Sequence, residues 1–260
     1  MLIVGDAAQA NAKMAKSTNP TARANPLAME PGRLTSACAA CAIRDTAICA
    51  VLGDSEMDAL QDIMAHLALP PGKTLLYEGD EANFVYNVVG GTLRMSKLLA
   101  DGRRQITGFL MAGDFLGFAR DETYSYDAEA VEETELCRFP VRSFEAVCER
   151  FPHLEKRLLK EASNELAEAQ DQMLLLGRQS PLERLAKFLL RLHDRMERMG
   201  QPTQPLRLSM TRSDIADYLG LTIETVSRCF TKLRKDGLIE LPESQLVVFK
   251  AREALEDMTA

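Results

Sequence analysis

Met210-Thr-Arg-Ser-Asp-Ile-Ala-Asp-Tyr-Leu-Gly-Leu-Thr-Ile-Glu-Thr-Val-Ser-Arg-Cys-Phe-Thr-Lys-Leu-Arg-Lys-Asp236 reads as two short helices joined by a tight turn. Ile215, Ala216 and Leu219 share one face at helical spacing, and Asp214 puts an acid in the first turn. Gly220 supplies the left-handed backbone of a sharp helix exit. Thr222 then caps a second helix, which Leu221, Val226, Phe230 and Leu233 hold to a core. A small Ala216 at the helix crossing, Gly220 at the turn and Val226 between the helices give the spacing of a helix-turn-helix.

The outward side of the second helix carries the chemistry. Glu224, Ser227 and Arg228 stand at i, i+3 and i+4, so one face offers an acceptor, a hydroxyl and a guanidinium fork. In a DNA major groove, Arg grips guanine O6 and N7, Glu accepts from cytosine N4, and Ser suits either edge. An ordinary solvated face with a Glu–Arg pair would look the same in isolation; the glycine, cap and apolar positions around it favour DNA reading. Arg212, Thr222, Lys232, Arg234 and Lys235 are the candidate phosphate contacts, which position a helix without specifying sequence.

The charge distribution agrees. The chain has 260 residues, enough for two domains, and a net charge of −7. Residues 178–250 carry 13 Lys or Arg against 9 Asp or Glu, a net of +4, which leaves −11 for the remainder. Basic charge is therefore concentrated around the helix-turn-helix. No targeting segment is evident and no apolar run approaches about 18 residues, so a soluble, cytoplasmic protein with no membrane partner is expected. In that compartment the six cysteines, at 38, 41, 49, 137, 148 and 229, are expected as thiols rather than structural disulfides.

Three of them are close in sequence, in Cys38-Ala-Ala-Cys41-Ala-Ile-Arg-Asp-Thr-Ala-Ile-Cys49. A Cys-x2-Cys pair offers two thiolates to one metal centre, and Cys49 adds a third. No histidine lies in the stretch, and His66, His153 and His193 are scattered. The fourth ligand is then another cysteine. All-thiolate ligation suits tetrahedral zinc and an iron–sulfur cluster alike.

Residues 1–33 are rich in Ala, Asn, Pro and Thr without periodicity and read as a disordered tail. After the cysteines, Met57, Leu60, Ile63, Met64 and Leu67 predict a short amphipathic helix. Short β-like runs follow at 74–77, 84–89, 92–99, 105–111 and 128–139, separated by glycine turns. That rhythm predicts an antiparallel roll or jelly roll. Cys137 falls on its last strand and can be the fourth ligand if the cysteine loop folds back. A long helix is predicted over 153–176. Leu154, Leu158, Ala162, Leu166, Ala169, Met173 and Leu176 form one seam, and Leu159, Ala167 and Leu174 a narrower stripe. One stripe would cover the roll and the other meet a partner helix. Pro181 opens another helix ending near Gly200, and residues 237–249 read as the hairpin wing of a winged helix. The expected fold is α+β: tail 1–33, cysteine loop and β-roll 34–152, dimerisation helix 153–177, and winged helix-turn-helix 178–260.

This order of parts resembles the CRP/FNR family of bacterial transcription regulators, from about Cys38 to the end of the wing. The detailed likeness is to the FNR branch, in Gln105-Ile-Thr-Gly-Phe109, Ala112-Gly-Asp114, Leu116-Gly-Phe118, Thr211-Arg212, Tyr218-Leu-Gly-Leu-Thr222, Glu224-Thr225 and Ser227-Arg228. Pro181-Leu-Glu-Arg-Leu-Ala186 is a looser match. The resemblance implies a homodimeric, oxygen-sensing regulator with a cyclic-nucleotide-binding-like roll, working as an anaerobic activator. Its DNA binding would depend on an oxygen-labile [4Fe-4S] cluster on Cys38, Cys41, Cys49 and Cys137. Seven residues separate Cys41 from Cys49 where the best-known FNR pattern has five, which lengthens the loop. The reading triplet implies a TTGAT-N4-ATCAA dyad, and Ile223 stands where the cyclic-AMP branch has Arg.

The resemblance also implies contact with RNA polymerase, for which the turn Asp101-Gly-Arg-Arg104 is a candidate. No cyclic nucleotide is expected. The phosphate-gripping Arg-Ser pair of that branch is missing after Gly113-Asp114, and Asp121-Glu122 would repel a phosphate. Two alternatives are a zinc-stapled regulator and a thiol-redox regulator in which Cys229 responds to oxidant. Cys148 reads as core. No nucleophile–base pair or phosphate-cradling glycine motif points to an enzyme.

Overall fold

The computed structural model describes Cys38, residues 41–120 and residues 122–259. The tail expected over 1–33 lies outside these residues. The cysteine-bearing coil winds through successive turns into a 3-10 turn at Ile48–Val51 and then helix α1 (Asp54–Gln61). Glu56 starts α1 by accepting from the Gly53 N–H at 2.9 Å. The helix expected to run on to Leu67 stops at Gln61. Leu67 and Leu69 instead alternate inward along strand β1 (Ala65–Leu69). Leu67, four residues after Ile63, had extended the helical pattern into what is a strand.

The roll is completed by β2 (Thr74–Leu76), β3 (Phe84–Gly90), β4 (Thr92–Leu98), β5 (Arg104–Met111), β6 (Phe115–Leu116), β7 (Ala119–Arg120), β8 (Thr123–Tyr124), β9 (Asp127–Ala130) and β10 (Thr134–Pro140). β1-β10-β3-β6 and β2-β9-β4-β5 are two four-stranded antiparallel sheets, and β7-β8 is a small hairpin. Leu69, Val88, Leu93, Ile106, Leu116 and Leu136 fill the space between the sheets. The single run expected over 128–139 is thus two strands in different sheets. Gly91 sits beside their junction with φ +83°, and a Cβ there would run into Glu133 O and lie 2.7 Å from Thr134 Cα. Only glycine allows that backbone approach.

Helix α2 (Val141–Arg150) follows, unpredicted, with Phe144, Val147 and Cys148 buried on one side. The long helix α3 (Pro152–Arg178) then runs for 27 residues. The C-terminal part comprises α4 (Pro181–Arg198), β11 (Leu206–Arg207), α5 (Arg212–Leu219), α6 (Ile223–Lys235), β12 (Ile239–Glu240), β13 (Leu246–Phe249) and α7 (Arg252–Thr259). Ser180 and Glu183 close a capping box at the start of α4. The wing has three strands, in the order β11-β13-β12, rather than the expected two. Helix α7, also unpredicted, is tied back to α4 by Arg252, which bonds Asp194 at 2.7 Å and His193 Nδ1 at 3.0 Å. No helix among the described residues is long and apolar enough to cross a membrane.

Gly91→Ala is expected to destabilise the protein by roughly 2 kcal/mol or more, because it adds a steric clash to an unfavourable φ. A fall in the urea midpoint without a change in slope would measure it.

Candidate nucleic-acid interface and metal centre

The helix-turn-helix is set by local bonds. Thr211 caps α5, its hydroxyl accepting from the Asp214 N–H at 3.1 Å, while Asp214 Oδ2 accepts from the Thr211 N–H at 3.0 Å. Gly220 is left-handed at φ 62°, ψ 41° and donates its N–H to Ala216 O. Thr222 Oγ1 then accepts from the Thr225 N–H at 3.2 Å and starts α6. Val226, Phe230 and Leu233 turn into the core, and Glu224, Ser227 and Arg228 turn out. The expected reading face is therefore free and on one side. Arg228 Nη2 rests on Thr225 Oγ1 at 3.1 Å, and Ser227 Oγ donates to Ile223 O at 2.8 Å. The backbone N–H of Glu224 and the Thr222 hydroxyl hold the Glu224 carboxyl below its ordinary range, with a smaller contribution from Arg228.

Lys232, Arg234 and Lys235 are exposed near the end of α6, Lys232 pairing with Asp236 at 2.9 Å. A shallow groove along Ser227, Arg228, Thr231, Lys232 and Lys235 joins the two lysines to the reading face. Arg212 does not fit its expected role as a phosphate contact. Its guanidinium lies 3.1 Å over the Phe230 ring and donates to Ser244 O at 2.9 Å, joining α5 to the wing turn. Burial lowers its pKa to about 10. Cys229 faces the core rather than the reading side, and burial raises its thiol.

The coil bearing Cys38, Cys41 and Cys49 does fold back onto β10, where Cys137 stands. Burial, and then the charges of Cys41, Cys38 and Cys49, push the Cys137 thiol up to about 12. Burial likewise pushes Cys49 to about 11, against the opposing pull of Arg44, and raises Cys38. The four sulfurs thus lie within electrostatic reach of one another. Ile48, Leu52, Phe115, Phe139 and Phe144 belong to the apolar cluster around them. Arg44 spans the coil, donating to Cys49 O at 2.6 Å and Leu52 O at 2.5 Å, and supplies a fixed positive charge. Cys148 lies in the same core, but burial, Glu155 and Glu145 raise its thiol to about 11, with no contribution from the other four cysteines. The donor set, all thiolates beside apolar side chains with one compensating cation, suits a metal centre in its chemistry. No three of these sulfurs lie within 4.8 Å of one another, however, so they are not drawn together around a single ion.

The same coil touches α3. Arg157 Nη2 donates to Thr46 O at 3.1 Å, and Leu154 and Leu158 pack into the cysteine-side core. At the other end Leu175 and Leu176 pack into the helix-turn-helix core. The seam expected from Leu158 to Leu176 is corrected accordingly: both its ends are used within the chain, because they lie over separate domains. Between them Leu159, Leu166, Met173 and Leu174 are 61–70% exposed. Leu159, Leu166 and Met173 are spaced by sevens, with Ala162 and Ala169 between, so the bare face draws on both predicted stripes.

The hairpin of β4 and β5 meets α5. Arg94 Nη1 and Arg104 Nη2 both donate to Asp214 Oδ1, at 2.7 and 3.1 Å. Arg104 is therefore turned inward and is not available to an outside partner, as the turn at 101–104 had been read. Sequence reasoning gave no sign of this contact, whose partners are over 100 residues apart.

Residues 183–258 match the Crp-like helix-turn-helix domain, and residues 66–151 the cyclic nucleotide-binding domain. The transcriptional activatory protein AadR of Rhodopseudomonas palustris is 44% identical over 199 residues, covering 76% of this chain and 83% of AadR. The chain belongs to the CRP/FNR family of transcription regulators. As a CRP/FNR member it is a DNA-binding regulator, and its relatives are regulators rather than enzymes. It is 41% identical over 204 residues to the nitrogen fixation regulation protein FixK of Bradyrhizobium diazoefficiens, covering 78% of this chain and 86% of that one. The structure of FixK2 from Bradyrhizobium japonicum superimposes with a TM-score of 0.72 at 34% identity, over 76% of this chain and 98% of FixK2.

Asp214 carries a pH dependence. Burial opposes its ionisation, but the Thr211 hydroxyl and N–H and the charges of Arg94 and Arg104 outweigh it and lower the pKa. A lowered folded pKa gives stability that is present above the unfolded value of about 3.9 and lost as pH falls through the folded value. Unfolding free energy measured from pH 6 to 3 should fall in the parent and fall less in Asp214→Asn.

Proposed function

We propose that this chain is a cytoplasmic, homodimeric transcription activator whose DNA binding depends on an oxygen-labile [4Fe-4S] cluster. The observation that supports this reading is that the coil bearing Cys38, Cys41 and Cys49, itself bonded to α3, lies within electrostatic reach of Cys137 on β10. Cys38, Cys41, Cys49 and Cys137 would hold the cluster, and Arg44 would offset its anionic thiolates. The cluster would supply an oxygen-sensitive cross-link between the coil and β10. With the coil drawn onto β10, Thr46 stays in place to accept from Arg157, and Ile48 and Leu52 stay packed near Leu154. These contacts hold the N-terminal end of α3, and the bare ladder of Leu159, Leu166 and Met173 along the helix meets the same ladder of a second copy.

Dimerisation places two α6 helices about one DNA turn apart, roughly 34 Å, each at one half of a TTGAT-N4-ATCAA dyad. Glu224, Ser227 and Arg228 read the bases, while Lys232, Arg234, Lys235 and the start of α6 at Thr222 meet phosphates. The sequence between Gly113 and Tyr126 has no Arg-Ser pair, which favours a metal centre over a cyclic nucleotide as the effector. As an activator the protein would meet RNA polymerase, and in the turn after β4 the exposed Asp101–Arg103 ion pair, at 2.8 Å, is what it would offer.

An absorption spectrum of anaerobically purified protein, with iron and sulfide analysis, tests the centre. The expected result is a brown protein with iron and sulfide in equal amounts, bleaching in air together with loss of dimer and of dyad binding. A colourless protein with one zinc would refute it. Arg228→Ala tests the readout: it should cost about 1–3 kcal/mol per half-site and relax preference at one base pair. Unchanged affinity and selectivity in a binding titration would remove that assignment.

A further inference from the structure

The DNA-reading domain is joined to the rest of the chain by a short link, since α3 ends at Arg178 and α4 begins at Pro181. Packing of Leu175 and Leu176 holds one side of it. A second, polar seat lies between the β4–β5 hairpin and α5. Besides the two bonds to Asp214, Arg104 Nε and Nη2 reach Asp217 Oδ2 at 3.0 and 2.7 Å, and Gln105 Nε2 donates to Asp217 O at 2.6 Å. Phe109 adds a ring contact with Tyr218 at 5.4 Å. Asp214 itself is 2% exposed, and its second oxygen is committed to the α5 cap. The carboxylate thus ties the first turn of the helix-turn-helix to the roll.

This seat has two consequences for reading. The contacts fall on α5, so α6 keeps Glu224, Ser227 and Arg228 free. In a helix-turn-helix the first helix crosses the DNA backbone. Arginines from the roll therefore neutralise acids on an element that lies toward phosphates. We propose that Arg94 and Arg104 are positioning residues for DNA binding: they clamp α5 to the roll and hold α6 at the angle at which a dimer reads both half-sites. This rests on the DNA-reading role given above to Glu224, Ser227 and Arg228. The clamp gains nothing by contact with DNA; it acts by fixing orientation before binding.

A charge swap in the full-length protein tests it, with Arg104→Asp, Asp217→Arg and the double variant prepared alongside the parent. Arg104→Asp should weaken binding to a TTGAT-N4-ATCAA duplex by about tenfold or more, and the double variant should return to within about threefold of the parent. The slope of log affinity against log salt should stay that of the parent, because no phosphate contact is removed. Hydrogen exchange without DNA should show α5 and β5 amides opening faster in Arg104→Asp and protected again in the double variant. Equal or tighter duplex binding by Arg104→Asp would overturn the proposal, tighter binding marking the seat as a restraint on binding. Failure of the double variant to recover would also overturn it. Loss of selectivity against a scrambled duplex in the parent itself would instead refute the base-reading assignment, and the exchange pattern would still report on the clamp.

Discussion

Leu154 and Leu175 are both buried on α3, yet they belong to different cores. The first end of the helix is sunk among the side chains around the thiols, and the last turns are sunk in the core of the helix-turn-helix. A 27-residue helix spans roughly 40 Å, so one stiff element fixes the separation of the two domains. Its length also explains the pattern of exposure. Leu159, Leu166 and Met173, on the face turned away from both cores, stand bare. The bare segment follows from holding both ends, and an apolar face of this kind on a helix is finished by another helix.

The join between roll and reader is of a different kind. The helix-turn-helix core is built mainly from Leu, Ile, Val and Phe, and the roll adds Phe109 and Met111 to it, but the roll also meets α5 through arginines, acids and the Gln105 amide. Interfaces of this type add little net stability, because desolvating the charges offsets much of their attraction. They do fix geometry, since a guanidinium fork satisfied by two carboxylates tolerates little displacement. Arg195 makes a similar link to Asp114 beside the roll. A polar join between domains also separates more readily than an apolar one.

What the sequence made legible was local. Gly220, Thr222 and the apolar positions of α6 constrain one another within a dozen residues, so the helix-turn-helix could be placed closely. The first three cysteines were read from spacing, and Cys137 was added on the condition that the loop folds back and from the resemblance to the FNR branch. Helices α2 and α7 were missed for lack of turns. Phe144, Val147 and Cys148, or Leu255 alone, are too few positions to establish a period. The dimer seam was read with its ends wrong, because periodicity reports which residues share a face and not what covers it. The partners of Arg94, Arg104 and Arg212 were not legible. Each guanidinium had several acids, carbonyls or rings within chemical reason, and only the folded arrangement selects among them.

The exposed ladder on α3 is sparse, with alanine at 162 and 169 alternating with the larger side chains. In the dimer proposed above, a self-association surface with so little bulk would give a modest affinity, and modest affinities are sensitive ones. A change of about 1.4 kcal/mol in how the helix is held shifts the dissociation constant tenfold. Because pairing is second order in monomer, the abundance of the protein sets how strongly a given change is felt. Under the function proposed above, a bacterium could therefore retune the response by adjusting synthesis of the regulator, leaving both the thiols and the operator sequence as they are.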